Sequence, residues 1–265
     1  MWMSRRIVGG ARRASRSCAS TFSTIPHWRK MEPIVLHLYE HCPFCVRVQL
    51  ALGHIHPSLP EAVGTKVYGY GDVEGPTSLI GKKMLPVLEY DEQGGEGGAR
   101  KKSFLAESLT IIQLLDQDGV IDRHQESELS RPELQDWLQR SKEISRQLVR
   151  PRMIKGVPIR DFATEEDVAY VKNKHAKQGF FDYEDCENRS EELKKDMNVL
   201  LQELSGYLHS DKGITGENFS MDDIFIFPDV RNLTVVDGLV WPENVWKWME
   251  NVSKPAGLGV YEGIP

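Results

Sequence analysis

Acidic side chains are missing from the first 30 positions, and cysteine is scarce everywhere. Only Cys18, Cys42, Cys45 and Cys186 occur in 265 residues. So few thiols exclude the disulfide framework of a small secreted domain and point to a reducing compartment. There is no second paired Cys or His motif. A structural zinc site needs four ligands, so Cys42 and Cys45 read as half of something other than a metal centre. No run of 18 apolar residues is present, which excludes a membrane-spanning helix. Internal repeats and long low-complexity segments are absent too.

Charge is unevenly placed. Residues 1–30 hold seven of the 33 basic residues, which leaves 26 against all 39 acidic ones in the remainder. A body that acidic is a poor match for a phosphate backbone, so no nucleic-acid partner is expected. The leader is rich in Arg, Ser and Ala and lacks a long apolar core. That composition is expected of a mitochondrial or plastid transit peptide over residues 1–31. Met31 offers an internal start that would give a cytoplasmic form. The overall mix, 40% hydrophobic and 27% charged, is that of a globular chain, and its length suffices for one large or two modest cores.

From Ile34 to Tyr39 the chain is β-rich and suits a buried strand. Cys42-Pro43 follows, and proline in a first helical turn predicts a helix from there, ended by Gly53 and Pro57. Further strands are predicted over 65–70, 85–90 and 100–105, with a short helix from Pro76 and a helix over 109–115. The order β-α-β-(α)-β-β-α predicts a thioredoxin-like domain over 32–117. Residues 118–130 read as a polar linker, 131–256 as an all-helical domain and 257–265 as a tail. Ser130 and Glu133 have capping-box spacing. Ser220 to Asp223 predicts another helix start, and Pro228 is expected to stop or kink that helix.

The chemistry centres on Cys42 and Cys45. A thiol is nucleophilic as thiolate, and the amides of a helix N-terminus lower its pKa. Cys45, one turn inside the helix, is shielded yet placed to resolve a mixed disulfide on Cys42. His41 either tunes Cys42 or serves as a spacer. Pro86 follows Leu85, and proline is the residue for which a cis peptide is cheap. A cis bond there would leave the Leu85 N–H and C=O free to pair with an extended peptide. Glu107 and Ser108 precede a helix, where a hydroxyl and amides take a carboxylate and Glu107 takes an ammonium. The pair suits an amino-acid-like end group such as γ-glutamyl; the alternative is an ordinary helix cap. Lys83, ahead of Lys82, is the candidate for a second carboxylate.

His41-Cys42-Pro43-Phe44-Cys45, Met84-Leu85-Pro86-Val87-Leu88 and Ala106-Glu107-Ser108 stand in glutaredoxin order. The helical half adds Arg150-Pro151-Arg152, Asp222-Asp223-Ile224, Phe227-Pro228, Arg231 to Val236, and Trp241-Pro242. Together they resemble the bacterial glutaredoxin 2 family, glutaredoxins with a glutathione-transferase-like fold, over roughly residues 34–250. The chain departs from glutaredoxins in Phe44, where tyrosine is common, and in its glycine-rich loop 93–100.

The resemblance implies a glutathione-dependent thiol–disulfide oxidoreductase that works as a monomer. Its partners would be glutathione as co-substrate, glutathionylated proteins and small disulfides. It implies Cys42 as nucleophile, Cys45 as resolving thiol, Leu85 and Pro86 along the cysteinyl unit, Glu107 and Ser108 at the γ-glutamyl end and Lys83 at the glycyl carboxylate. Two alternatives stand beside it. One is a cysteine-type glutathione transferase or dehydroascorbate reductase. The other is a glutathione-bound iron–sulfur carrier or redox-sensing adaptor.

Overall fold

The computed structural model describes residues 27–92, 99–122, 129–177, 181–261 and 263. The arginine-rich leader up to residue 26 and the glycine-rich turn 93–98 lie outside the described residues.

The first half is a four-stranded sheet of order β2-β1-β3-β4. Its strands are β1 (Ile34–Leu38), β2 (Val63–Val67), β3 (Val87–Glu92) and β4 (Lys101–Ala106). β1 runs parallel to β2 and antiparallel to β3, and β3 runs antiparallel to β4. Leu36 is the register mark, opposite Thr65 on one side and Leu88 on the other. In β1, Ile34, Leu36, His37 and Leu38 are all buried, as befits a central strand covered on both faces. The helices of this half are α1 (Pro43–Ile55), the short α2 (Leu59–Ala62), α3 (Glu74–Ile80) and α4 (Ser108–Leu115). This is the expected thioredoxin-like order.

Everything after it is helical: α5 (Pro132–Met153), α6 (Glu165–Lys177), α7 (Tyr183–Asn188), α8 (Ser190–Tyr207), α9 (Met221–Leu233) and α10 (Glu243–Ser253). No helix among the described residues is long and apolar enough to cross a membrane. The buried residues of both halves form one apolar cluster. α1 sits at its centre, packed against α4 on the sheet side and against α9 and α10 on the helical side. The helix that starts at the cysteines is therefore held by both halves.

Several local expectations give way to tertiary contacts. β2 ends at Val67 rather than at residue 70, because Tyr70 leaves the sheet and donates its N–H to the Asp161 carbonyl at 2.7 Å. α1 passes through Gly53 to Ile55. Gly53 marks a close approach instead: a Cβ there would lie 2.4 Å from the main-chain N of Ala256, in the turn Lys254–Ala256. Ser130 does not cap α5, whose N-cap is Arg131. The Ser130 N–H and hydroxyl are both given to the Asp222 carboxylate. The polar stretch before α5 is also anchored, since Ile121 and Leu129 are buried.

Pro228 does not stop α9, which continues to Leu233. A proline within a helix costs about 3 kcal/mol. Nearly every α9 side chain is buried, and that burial holds the helix together. Its N-terminus does carry a capping box, with Ser220 and Asp223 satisfying each other's main-chain N–H groups. Asp223 is fully buried and also accepts from the Ile214 N–H at 2.9 Å and the Trp248 indole at 2.7 Å.

Candidate functional site

β1 delivers the chain to Tyr39, and four residues later Pro43 opens α1, leaving Cys42 as its N-cap. Cys42 is half-buried and Cys45 fully buried. Cys42 becomes acidic chiefly because the Cys45 thiol donates a hydrogen bond to it. The charge of His41 and the N–H groups of Cys45 and Phe44 add to this against the cost of burial, and bring the pKa down to about 6. Burial first, and the neighbouring Cys42 second, push the Cys45 thiol up. The Tyr39 N–H donates to the Cys45 sulfur at 3.4 Å. One thiol is thus a thiolate at neutral pH while its neighbour stays protonated and can donate to it. Cys186 is buried in α7, and burial pushes its thiol up.

His41 is no spacer. Its Nδ1 lies 2.5 Å from Oδ2 of Asp161, a buried residue of the 3-10 turn Arg160–Phe162. The same carboxylate accepts the main-chain N–H of Glu40 and of His41, both at 2.8 Å. The rings of Tyr39, Tyr70 and Phe162 surround the imidazole at centroid distances of 4.8 to 6.4 Å. From α9, Asn232 donates to the His41 carbonyl at 3.0 Å and Arg231 to the Glu40 carbonyl at 3.3 Å. The hydroxyl of Tyr261 also reaches the Glu40 carbonyl at 3.3 Å. The loop before the nucleophile is therefore held mainly by the helical half.

The Leu85–Pro86 peptide is cis, and both residues are buried. The Leu85 N–H and C=O take no main-chain partner among the described residues. Lys83 is half-buried and Lys82 exposed. The Lys83 ammonium donates to the Tyr70 carbonyl and lies 3.7 Å from the centroid of Tyr170. Glu107 is exposed at φ 71, the single non-glycine residue in the left-handed region among the described residues. Ser108 is the first residue of α4 rather than its cap, and its hydroxyl has no hydrogen-bond partner among the described residues. Among those residues no group of three or more His, Cys, Asp or Glu is arranged to hold a metal ion.

A cleft of about 580 Å³ opens between the halves. It brings together Cys42, Lys83 and Leu85 with Tyr39, His41, Arg47, Tyr70, Asp229 and Asn232. Glu107 and Ser108 are not among its lining residues, and neither is the buried Cys45. Sequence reasoning missed Tyr39, Arg47, Tyr70, Asp161 and Asp229. Each is an ordinary residue in its own segment, and only tertiary structure brings them to the nucleophile. Asn232 fell within a motif noted for resemblance, with no role attached.

A family model described as "Glutaredoxin 2, C terminal domain" matches residues 133–264. Glutaredoxin 2 of Escherichia coli (strain K12) is 29% identical over 231 residues, covering 86% of this chain and 98% of that protein. A crystal structure of glutaredoxin 2 from Salmonella typhimurium, in complex with glutathione, is similar at a TM-score of 0.72 and 27% identity. That match covers 86% of this chain and 96% of the Salmonella chain. FzlA from C. crescentus shares the fold at a TM-score of 0.51 and 18% identity, over 84% of this chain and 89% of its own. Sheet and helix order, the cysteine motif and these similarities agree: the chain resembles glutaredoxin 2 proteins over most of its length, and its helical half matches that family's C-terminal domain.

Proposed function

We propose that this chain is a glutaredoxin: a glutathione-dependent thiol–disulfide oxidoreductase that takes glutathione off protein thiols through Cys42. The observation that carries the reading is the acidity of Cys42 at the start of α1, open to a cleft that also holds Leu85. Cys42 thiolate attacks the glutathione sulfur of a mixed disulfide. The old S–S bond breaks, a Cys42–S–S–glutathione bond forms, and the target leaves as a thiolate that takes a proton from water. A second glutathione, as thiolate, attacks the glutathione sulfur of that intermediate. Oxidised glutathione departs and the Cys42 thiolate returns.

Leu85 would pair through its free main chain with the cysteinyl unit, with Pro86 shaping that turn. The exposed Glu107 and the unpartnered Ser108 hydroxyl suit the two charges of the γ-glutamyl end, and Lys83 the glycyl carboxylate. Cys45 would close an internal disulfide in the two-thiol route. A second thiol within hydrogen-bond reach of Cys42 fits disulfide exchange, whereas alkyl transfer needs no resolving thiol.

Cys42→Ser tests the reading with a glutathionylated disulfide as substrate. Loss of turnover is expected, and retained turnover overturns it. Cys45→Ser should keep the one-thiol route. We also propose that the chain acts as a monomer and that its arginine-rich leader directs it to mitochondria. Sedimentation of the purified chain tests the first proposal. The destination of a fluorescent protein carrying residues 1–31 tests the second.

A further inference from the structure

The cleft holds more than the chemistry above requires. One of its walls is a single face of α5, made by Lys142, Ser145, Arg146, Val149, Arg150 and Met153. Lys142, Arg146 and Arg150 recur every fourth residue. Like charges at that spacing repel one another along a helix, so the row works against folding. The acid of the cleft, Asp229, offsets only part of it, at Lys142 and Arg146. Among the described residues Lys142 and Arg150 make no ion pair, and Arg146 reaches only Glu143, at 4.0 Å. With Arg47, Lys83 and Lys174, six cations line the cleft against one acid, Asp229, on a chain of formal net charge −6. Such a concavity concentrates positive potential and draws in anions.

A second observation is independent of charge. Four buried side-chain polar atoms lack a hydrogen-bond partner among the described residues: Tyr39 Oη, Arg47 Nε, Asp229 Oδ2 and Asn232 Oδ1. All four belong to residues lining this cleft. Buried polar atoms are nearly always paired, so four orphans along one cleft leave its lining with unused donors and acceptors. Arg47 is 8% exposed, between the rings of Phe44 and Phe225 at 5.0 and 4.6 Å, so its guanidinium is fixed before any guest arrives.

Spacing narrows the kind of guest. Four residues of α-helix rise about 6 Å, so the three cations of α5 form a row about 12 Å long. Alternate side chains on one edge of an extended peptide stand about 6.6 Å apart. We propose that the α5 wall docks an acidic, extended polypeptide segment next to the modified cysteine of the substrate, with carboxylates at alternate positions meeting Lys142, Arg146 and Arg150. The proposal rests on the oxidoreductase reading and adds its substrate class: proteins glutathionylated within an acidic stretch.

The test uses the full chain and three glutathionylated peptides that differ only in having Glu, Gln or Lys at alternate positions beside the cysteine. The Glu peptide should exceed the Gln peptide by about tenfold in kcat/KM, with the Lys peptide slower still. The preference should shrink as salt screens the contact. Arg146 is exposed, so Arg146→Glu leaves the core untouched; it and Lys142→Glu should abolish or invert the order. Arg146→Lys should keep it, as should Lys247→Glu, on a helix away from the cleft. Equal rates on the three peptides overturn the proposal, as does a preference that survives both charge reversals. Competition by a small dicarboxylate with no preference among peptides also overturns it, because it would show a site for small anions. The Gln peptide reports the chemistry alone. No turnover of that peptide would refute the oxidoreductase reading itself.

Discussion

Asp161 holds His41 from across the molecule: the two side chains meet at 2.5 Å, 120 residues apart in sequence. His41 adjoins the nucleophile, and its charge is one of the causes that make Cys42 acidic. The helical half thereby reaches the thiol through a carboxylate, an imidazole and one peptide unit.

Asp161→Asn should therefore make Cys42 less acidic. The variant weakens the carboxylate contact that holds the His41 ring beside Cys42 and the acceptor for two main-chain N–H groups. An upward shift of about one pKa unit is expected, equivalent to about 1.4 kcal/mol. Alkylation by iodoacetamide as a function of pH measures it. An unshifted midpoint would mean that Asp161 only braces the loop. His41→Asn should move the midpoint in the same direction while leaving the Glu40 and His41 N–H bonds in place.

In the unaltered protein the reaction with a neutral mixed disulfide should rise through pH 6 and level off above it. The Cys42 acidity is greater folded than unfolded, where a thiol titrates near 8.5. Its thiolate therefore contributes stability that is complete above about 8.5 and is lost as pH falls through about 6. Thermal melts over that window, compared with those of Cys42→Ser, should show the serine variant with less dependence on pH. Parallel curves would contradict the assigned acidity.

Asp223→Ala should be among the most damaging changes. It strips the acceptor from Ser220, Ile214 and Trp248 at once, all in the interior. A loss of about 3–5 kcal/mol is expected from leaving such groups unpaired. Denaturant melts followed through tryptophan fluorescence measure it, and a loss below about 1 kcal/mol would show that water replaces the carboxylate.

Gly53→Ala sets two effects against each other. Within a helix alanine is better than glycine by about 1 kcal/mol. At this position the new methyl would strike the main chain of the Lys254–Ala256 turn, and overpacking typically costs about 1–3 kcal/mol. Net destabilisation is expected in a urea titration. Net stabilisation would mean that the turn moves aside freely.

What was legible in the sequence was local. Proline after cysteine marked the start of α1, Leu85-Pro86 marked the free main chain beside the thiols, and alternating or helical apolar spacing marked most elements. Ser130 misled because its capping-box spacing is a local signal, while its hydroxyl is claimed by Asp222 from 92 residues away. Tyr70 misled for the same reason: its β-rich neighbours suggest a strand, yet its N–H is drawn to Asp161. Asp161 itself had no signal at all. An aspartate before Phe162 in a polar stretch resembles any surface acid until the fold brings Glu40 and His41 to it.

The hydroxyl of Tyr261 bonds both Arg231 and the Glu40 carbonyl, and Arg231 also grips the Gly259 carbonyl at 2.8 Å. A ribosome makes the two cysteines early and this brace more than 200 residues later. A nascent chain thus carries its thiols through most of translation without the support that orients them. Its reactivity matures only once the stretch up to residue 261 has emerged and docked.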